Sequence, residues 1–184
     1  MPKVSDEHLE ARRRQILDGA RTVFAHHGYE GATVVRLEQA TGLSRGAIFN
    51  YFPSKWDIFY ALADEDQNVV GELWLDQGFT AVLRWVTEQK PEWIGVYLEV
   101  HRHLRTNAAL REQWMQRAPE VNERLREHLR EQQQRGELRS DVAVDDIGRF
   151  LGLIVDGLVL SASVGVEVDL DPLLKLVVAA IGPQ

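Results

Sequence analysis

The chain has 184 residues, contains no cysteine and carries a formal net charge of −7. Its length fits one ordinary domain or a small head on a larger body, and the missing thiols exclude disulfides and thiolate metal sites. Residues 1–56 carry eight basic and six acidic side chains, a balance of +2, whereas the remaining residues carry −9. A basic head on an acidic body is compatible with nucleic-acid binding, because only the groups that face phosphate matter. Chance scatter of surface charge would give the same asymmetry.

No segment of the sequence predicts export or membrane insertion. Met1-Pro2-Lys3 leads straight into a charged segment, unlike a signal peptide. The longest apolar run, residues 150–166, is interrupted by Asp156 and is short for a bilayer span. We therefore expect a soluble cytoplasmic protein.

Helical periodicity extends along the whole chain, and no strand-like alternation competes with it. Gly28 ends the first helix, Pro119 kinks or breaks the seventh, and Asp171-Pro172 opens the last. About nine helices are predicted, at residues 9–25, 33–40, 45–52, 54–76, 80–88, 92–105, 108–135, 145–163 and 171–181.

Two short helices joined by a tight turn are the most informative feature. Thr33 and Ser44 are N-cap residues, and Gly42 closes the first of the two helices. This arrangement is a helix-turn-helix. We therefore predict an all-α fold with a three-helix DNA-binding head, residues 1–54, and a larger helical effector-binding and dimerisation bundle, residues 55–184.

The second short helix should present one face to the major groove and pack through the other. The predicted outward residues are Ser44, Arg45, Gly46, Phe49 and Asn50. An apolar wedge between the two helices is predicted from Val34, Leu37, Ala40 and Leu43 with Ile48. The predicted residues that anchor the second helix from behind are Ala47, Ile48 and Phe52.

This stretch resembles the DNA-binding domain of TetR-type transcriptional repressors over roughly residues 12–60. The residues that carry the resemblance are Phe24, Gly28-Tyr29, Thr33, the turn Thr41-Gly42-Leu43-Ser44, Gly46, the run Phe49-Asn50-Tyr51-Phe52, and Ser54-Lys55. Phe49 departs from the tyrosine that is more frequent in the family, which removes one hydroxyl contact to phosphate.

The resemblance assigns DNA-binding roles to Thr33, Arg36, Ser44, Arg45, Gly46, Asn50, Tyr51 and Lys55. Arg45 is the best candidate for reading a base, because a guanidinium fork matches the major-groove edge of guanine. Thr33, Tyr51 and Lys55 resemble phosphate contacts. The structural alternatives are that Thr33, Ser44 and Gly46 only cap helices and form the turn, that Tyr51 belongs to the core, and that Lys55 is a solvated surface lysine. The Arg12-Arg13-Arg14 cluster either contacts DNA or is a solvated helix end.

The last two predicted helices are apolar on almost every side, so each must be buried all round. Because one recognition helix contacts few bases, we predict a homodimer through these eighth and ninth helices. The alternative is that both helices are buried in the core of a monomer.

A candidate ligand-binding set lies in the body. Trp93, Tyr97, His101 and Arg105 share one helix face, and aromatic rings with a cationic end suit an anionic ligand. Asp66 and Asp156 interrupt apolar stretches and need partners, from Arg102, Arg105, Arg149 or a ligand. The alternatives are that Trp93 and Tyr97 only fill the core, and that Asp66 and Asp156 pair with other residues of the protein. His101 and His103 face different directions, so no metal site is predicted.

Within the family, the chain resembles actinobacterial regulators of the aconitase-repressor kind. The matching pieces are Gly28–Thr33, Ser44–Phe49 and Leu104-Arg105-Thr106. This resemblance implies a small-molecule effector, a tricarboxylate such as citrate with magnesium, and no required cofactor. We predict a ligand-responsive repressor that binds a palindromic operator, with an activator or a helical adaptor as alternatives. No nucleophile–base, phosphate-cradling or metal-ligand pattern indicates an enzyme.

Overall fold

The computed structural model describes residues 6–116 and 120–183. Within them the regular structure is helical, which confirms the predicted all-α class. The helices are α1 Asp6–Gly31, α2 Val34–Thr41, α3 Arg45–Tyr51, α4 Lys55–Gln77, α5 Phe79–Thr87, α6 Pro91–Thr106, α7 Ala108–Gln116, α8 Glu120–Gln134, α9 Val144–Ser163 and α10 Leu170–Ile181.

Most predicted boundaries agree with these helices to within a few residues. Gly28 has a positive φ of 64° and kinks α1, where the sequence predicted the end of the first helix. The predicted seventh helix is described as α7 and α8, and the break expected at Pro119 lies outside the described residues. The last helix begins at Leu170, because Asp169 caps it by accepting a hydrogen bond from the backbone N–H of Asp171.

The described residues cluster into two compact units. The first contains the residues up to Asp66 together with Lys90–Arg111, and the second contains Gln67–Gln89 and the residues from Glu112 onward. The boundary predicted after residue 54 falls inside the first unit and stays a prediction.

The first unit is built on the packing of α1, α6 and the first half of α4. Phe24 of α1 and Phe59 of α4 are buried edge to face, with ring centroids 5.0 Å apart. Gly95 allows α6 to approach closely, because a Cβ at this position would lie 3.0 Å from the Cα of Ala25. The DNA-binding head and α6 therefore share one core.

The second unit has its own core beneath α9 and α10. Its buried members are Leu129, Leu138, Ile147, Leu151 and Val177, and Ile154 packs against them half-buried. Several large apolar side chains of the same two helices remain exposed. None of the described helices combines the length and apolar character needed to cross a lipid bilayer.

Candidate nucleic-acid interface

The turn between α2 and α3 is held by several capping hydrogen bonds. The hydroxyl of Thr33 accepts from the backbone N–H of Arg36 at 3.4 Å, and that of Ser44 accepts from Ala47 at 3.3 Å. Gly42 closes α2 with φ of 69°, and its N–H donates to the carbonyl of Glu38 at 2.9 Å. Both predicted N-caps are therefore present.

The inner side of the helix pair packs against the core of the first unit. Leu37, Ile48 and Phe52 are buried as predicted. Val34, Leu43 and Ala47 are half-buried. Ala40 is exposed, so its predicted place in the apolar wedge is wrong.

At the end of α2, α1 packs closely at Gly19 against Thr41 and the backbone of Ala40. A Cβ at Gly19 would lie 2.8 Å from Cγ2 of Thr41 and 3.1 Å from the backbone of Ala40. The side chain of Gln15 donates to the carbonyl of Thr41 at 2.8 Å. α1 therefore meets the end of α2 at the side chain of Thr41 and at the backbone of Ala40 and Thr41.

The outer edge of α3 is accessible, as DNA contact requires. Ser44, Arg45, Gly46 and Asn50 are exposed, and Phe49 is half-buried. The guanidinium carbon of Arg45 lies 5.9 Å from the centre of the Phe49 ring, within cation–π range. The ring that replaces the family's more frequent tyrosine thus lies beneath the candidate base reader.

Lys55 is not a simple solvated lysine. Its ammonium group donates to the carbonyl of Tyr29 at 2.6 Å and lies 4.2 Å from the centre of the Tyr29 ring. An ammonium group has three donors, so a phosphate contact is compatible with this bond. Tyr51 is half-buried, Thr33 is exposed, and the guanidinium group of Arg36 donates to the carbonyl of Gly31 at 2.6 Å.

The arginine cluster lies within α1. The guanidinium carbon of Arg13 is 5.4 Å from the ring centre of Phe52, while Arg12 donates to the side chain of Gln15 at 2.9 Å. Arg14 is exposed.

Comparison with known proteins identifies the family to which this architecture belongs. Residues 16–62 match the family described as bacterial regulatory proteins, tetR family, and residues 72–182 match the C-terminal domain of BetI-type transcriptional repressors. The chain belongs to the TetR family. HTH-type transcriptional repressor Rv1474c of Mycobacterium tuberculosis (strain ATCC 25618 / H37Rv) is 42% identical, over 90% of this chain and 89% of the relative.

Two further comparisons agree with this membership. HTH-type transcriptional repressor AcnR of Corynebacterium diphtheriae is 38% identical over 96% of this chain and 95% of its own length. The solved structure of Salmonella enterica GusR has the same fold, with a TM-score of 0.75 at 20% identity over 88% of each chain.

The predicted family and subgroup resemblance are confirmed by these relatives. The chain is a TetR-family transcriptional repressor, and this family is non-enzymatic and needs no cofactor. Family membership also implies operator DNA and a dimer.

Four of the predicted ligand-binding residues of this TetR-family repressor lie on α6. The rings of Trp93 and Tyr97 have centroids 5.2 Å apart, and His101 stacks on Tyr97 at 4.4 Å. Trp93 is buried, Tyr97 is half-buried, and both His101 and Arg105 are exposed. Within the described residues, no group of three or more His, Asp or Glu side chains could hold a metal ion.

Asp66 has an internal partner that the sequence analysis did not name. Its two carboxylate oxygens accept from Arg21 of α1 at 2.7 and 2.9 Å, so the expected pairing with Arg102, Arg105 or Arg149 is wrong. Burial raises the pKa of the Asp66 carboxyl, and the hydrogen bonds and charge of Arg21 oppose that rise. This buried ion pair joins α1 to α4.

Asp156 and the other five ligand-binding candidates belong to different units. It belongs to α9 in the second unit, and its side chain is exposed in the single chain. The expectation that it would be buried in an apolar run is wrong for the single chain, because the helix turns this position away from the core residues Val155 and Leu158.

The contact between α6 and the kink of α1 was missed by the sequence analysis. Glu99 accepts a hydrogen bond from the backbone N–H of Tyr29, directly after Gly28. Burial alone would raise the pKa of the Glu99 carboxyl, but hydrogen bonds from Arg102 and Tyr29 lower it overall. The buried ring of His103 meets the Tyr29 ring edge to face at 4.6 Å. Burial lowers the pKa of His103, and the charge of Arg102 lowers it further.

Replacing Arg21 with alanine should strongly destabilise the protein. The substitution leaves a largely buried Asp66 carboxylate without its guanidinium partner, which costs about 3–5 kcal/mol in comparable cases. The measurement is the free energy of unfolding in urea, with Arg14→Ala on the same helix as the exposed control. The double variant Arg21→Met, Asp66→Leu should recover most of the loss. Equal stabilities for Arg21→Ala and Arg14→Ala would contradict this role.

Proposed function

We propose that this repressor binds a palindromic operator as a homodimer, and that a small anionic effector releases it. The observation that carries the proposal is the accessible outer edge of α3, on a doubly capped helix whose inner face is buried. The DNA contacts we propose are Thr33, Arg36, Ser44, Arg45, Gly46, Asn50, Tyr51 and Lys55. Arg45 reads a base, while Thr33, Tyr51 and Lys55 hold phosphates.

The dimer interface we propose consists of α9 and α10. Leu153, Leu160, Leu176 and Val178 are 63%, 58%, 68% and 65% exposed in the single chain. Leu153, Gly157 and Leu160 follow one another on one face of α9, and no atom lies within 4 Å of a Cβ added at Gly157. A second helix can therefore approach closely there. Apolar side chains exposed to this degree are typical of an oligomer interface.

Two copies of the head are needed because one recognition helix reads few base pairs. A two-fold dimer presents the same edge twice, and its half-sites lie about one helical turn apart or a multiple of that distance. The operator should therefore be an inverted repeat.

The effector we propose binds against the α6 face formed by Trp93, Tyr97, His101 and Arg105. The rings of Trp93, Tyr97 and His101 contact one another in sequence, and the guanidinium group of Arg105 on the same helix suits a carboxylate ligand. Citrate with magnesium is the first candidate, because the resemblance to regulators of the aconitase-repressor kind implies it. Asp66 is the buried ion-pair partner of Arg21 in this proposal.

Displacement of α6 offers a route from the effector to the DNA-binding head. Glu99 and His103 on α6 contact Tyr29, whose carbonyl accepts from Lys55 at the start of α4. A ligand that favours a different α6 position would disturb these contacts. A coupling free energy of about 1–3 kcal/mol, typical of allosteric proteins, corresponds to roughly 5–150-fold weaker operator binding.

Citrate with magnesium should therefore lower operator affinity by about 5–150-fold. The measurement is fluorescence anisotropy of a labelled operator, with magnesium chloride alone and sodium chloride of equal ionic strength as controls. Arg105→Ala should retain operator binding and lose the response. An unchanged operator affinity in citrate would exclude this effector, and a full response in Arg105→Ala would place the ligand elsewhere.

A further inference from the structure

The carboxylate of Glu38 connects the two helices of the helix-turn-helix. Its Oε1 accepts from the backbone N–H of Arg45, the first residue of α3, at 2.6 Å. The carbonyl of the same residue accepts from Gly42, which closes α2. Glu38 thus bonds to the end of its own helix and to the start of the recognition helix.

This bond adds a second cap to α3 beside that of Ser44. The first N–H groups of a helix lack partners within the helix, and side-chain acceptors that take them orient the helix start. Ser44 binds the N–H of Ala47, while Glu38 binds that of Arg45 itself. The guanidinium group of Arg45 lies over the Phe49 ring. Arg45, the candidate base reader, is therefore contacted at both its backbone and its side chain.

The carboxylate of Glu38 lies at the start of the recognition helix, where its negative charge bears on DNA binding. The side chain is half-buried, next to an edge proposed to meet the phosphate-rich surface of DNA. A carboxylate there repels phosphates, so it weakens binding to any duplex. A well-oriented Arg45 recovers affinity only where a matching base is present.

We propose that Glu38 is a specificity-determining residue: it positions Arg45 for base reading and disfavours binding that depends on phosphates alone. This inference rests on the proposed role of the α3 edge in operator binding. It predicts that Glu38 controls the ratio of operator affinity to random-DNA affinity, rather than affinity alone.

Two substitutions separate the hydrogen bond from the charge. Glu38→Ala removes both, so operator affinity should fall about 2- to 30-fold per half-site, the range for a lost cap, while random-DNA affinity stays equal or rises. Glu38→Gln keeps an oxygen acceptor but removes the charge, so operator and random-DNA affinity should rise together, the salt dependence should steepen, and the operator-to-random ratio should fall less than in Glu38→Ala. Glu10→Gln, which removes the same charge from an exposed site on α1, is the control.

A double-mutant cycle with Arg45→Ala distinguishes positioning from plain stabilisation. If Glu38 acts through Arg45, Glu38→Ala should leave the operator-to-random ratio unchanged in the Arg45→Ala background. The same loss of ratio in both backgrounds would show a purely structural role and overturn the proposal. An unchanged ratio in both Glu38 variants would overturn it as well. Failure of the unsubstituted protein to prefer any operator would instead refute the proposed function.

Discussion

Replacing Leu153 with aspartate is expected to convert the dimer into monomers. Leu153 lies on the exposed apolar face of α9, and in a two-fold interface each substitution acts twice. A buried anchor residue contributes about 2–4 kcal/mol per copy, and an uncompensated charge adds to that loss. The dissociation constant should therefore rise about 10³- to 10⁶-fold, by the conversion of 1.4 kcal/mol per decade.

Loss of the dimer should also remove operator binding at concentrations at which the unsubstituted protein is saturated. A monomer carries one recognition helix and makes half of the contacts. The measurements are sedimentation equilibrium for the mass and anisotropy for operator binding.

The control for Leu153→Asp is a charge placed on another exposed apolar side chain of the second unit. Val69→Asp on α4 serves this purpose, because Val69 is exposed and lies outside α9 and α10. Ile154 is less suitable, since it packs against the core of its own protomer. An intact Leu153→Asp dimer with a native unfolding transition would place the interface elsewhere.

Replacing Arg45 with alanine is expected to lower specificity more than affinity for random DNA. One bidentate contact to guanine contributes about 1–3 kcal/mol of discrimination, and a dimer makes two. The ratio of operator affinity to random-DNA affinity should fall about 30- to 10⁴-fold, again at 1.4 kcal/mol per decade. Arg45→Lys should lose most of the same ratio, because lysine keeps the charge without the planar fork.

Lys55→Ala is the matched comparison for Arg45→Ala. A lost phosphate contact weakens binding to every sequence alike, and it lowers the salt slope by about 0.9 for each phosphate no longer neutralised. A salt titration on operator and random duplexes separates the two variants. If Arg45→Ala behaves like Lys55→Ala, Arg45 contacts phosphate and another residue reads the operator.

Local signals made the helix-turn-helix predictable from the sequence. Thr33, Ser44 and Gly42 act through bonds to residues three or four positions away, so their roles can be read from a short window. The apolar pattern of Leu37 and Ile48 likewise fixed the inner face. The all-α class followed from the same short-range periodicity.

The partners across the fold were not predictable in this way. Arg21 and Asp66 are 45 residues apart, and their pairing depends on how α1 packs against α4. Glu99 reaches Tyr29 over 70 residues, at a kink whose geometry the sequence only hinted at through Gly28. Ala40 has the right spacing for a wedge, yet Gly19 places the backbone of α1 at the end of α2 instead.

The most direct test of the account is selection of binding sites from a randomised duplex library by the full-length protein. We predict enrichment of an inverted repeat whose half-sites are centred about one helical turn apart or a multiple of it, with a guanine in each half that Arg45→Ala no longer selects. Enrichment of a single asymmetric motif, or of no motif, would contradict a two-fold operator read by the edge of α3.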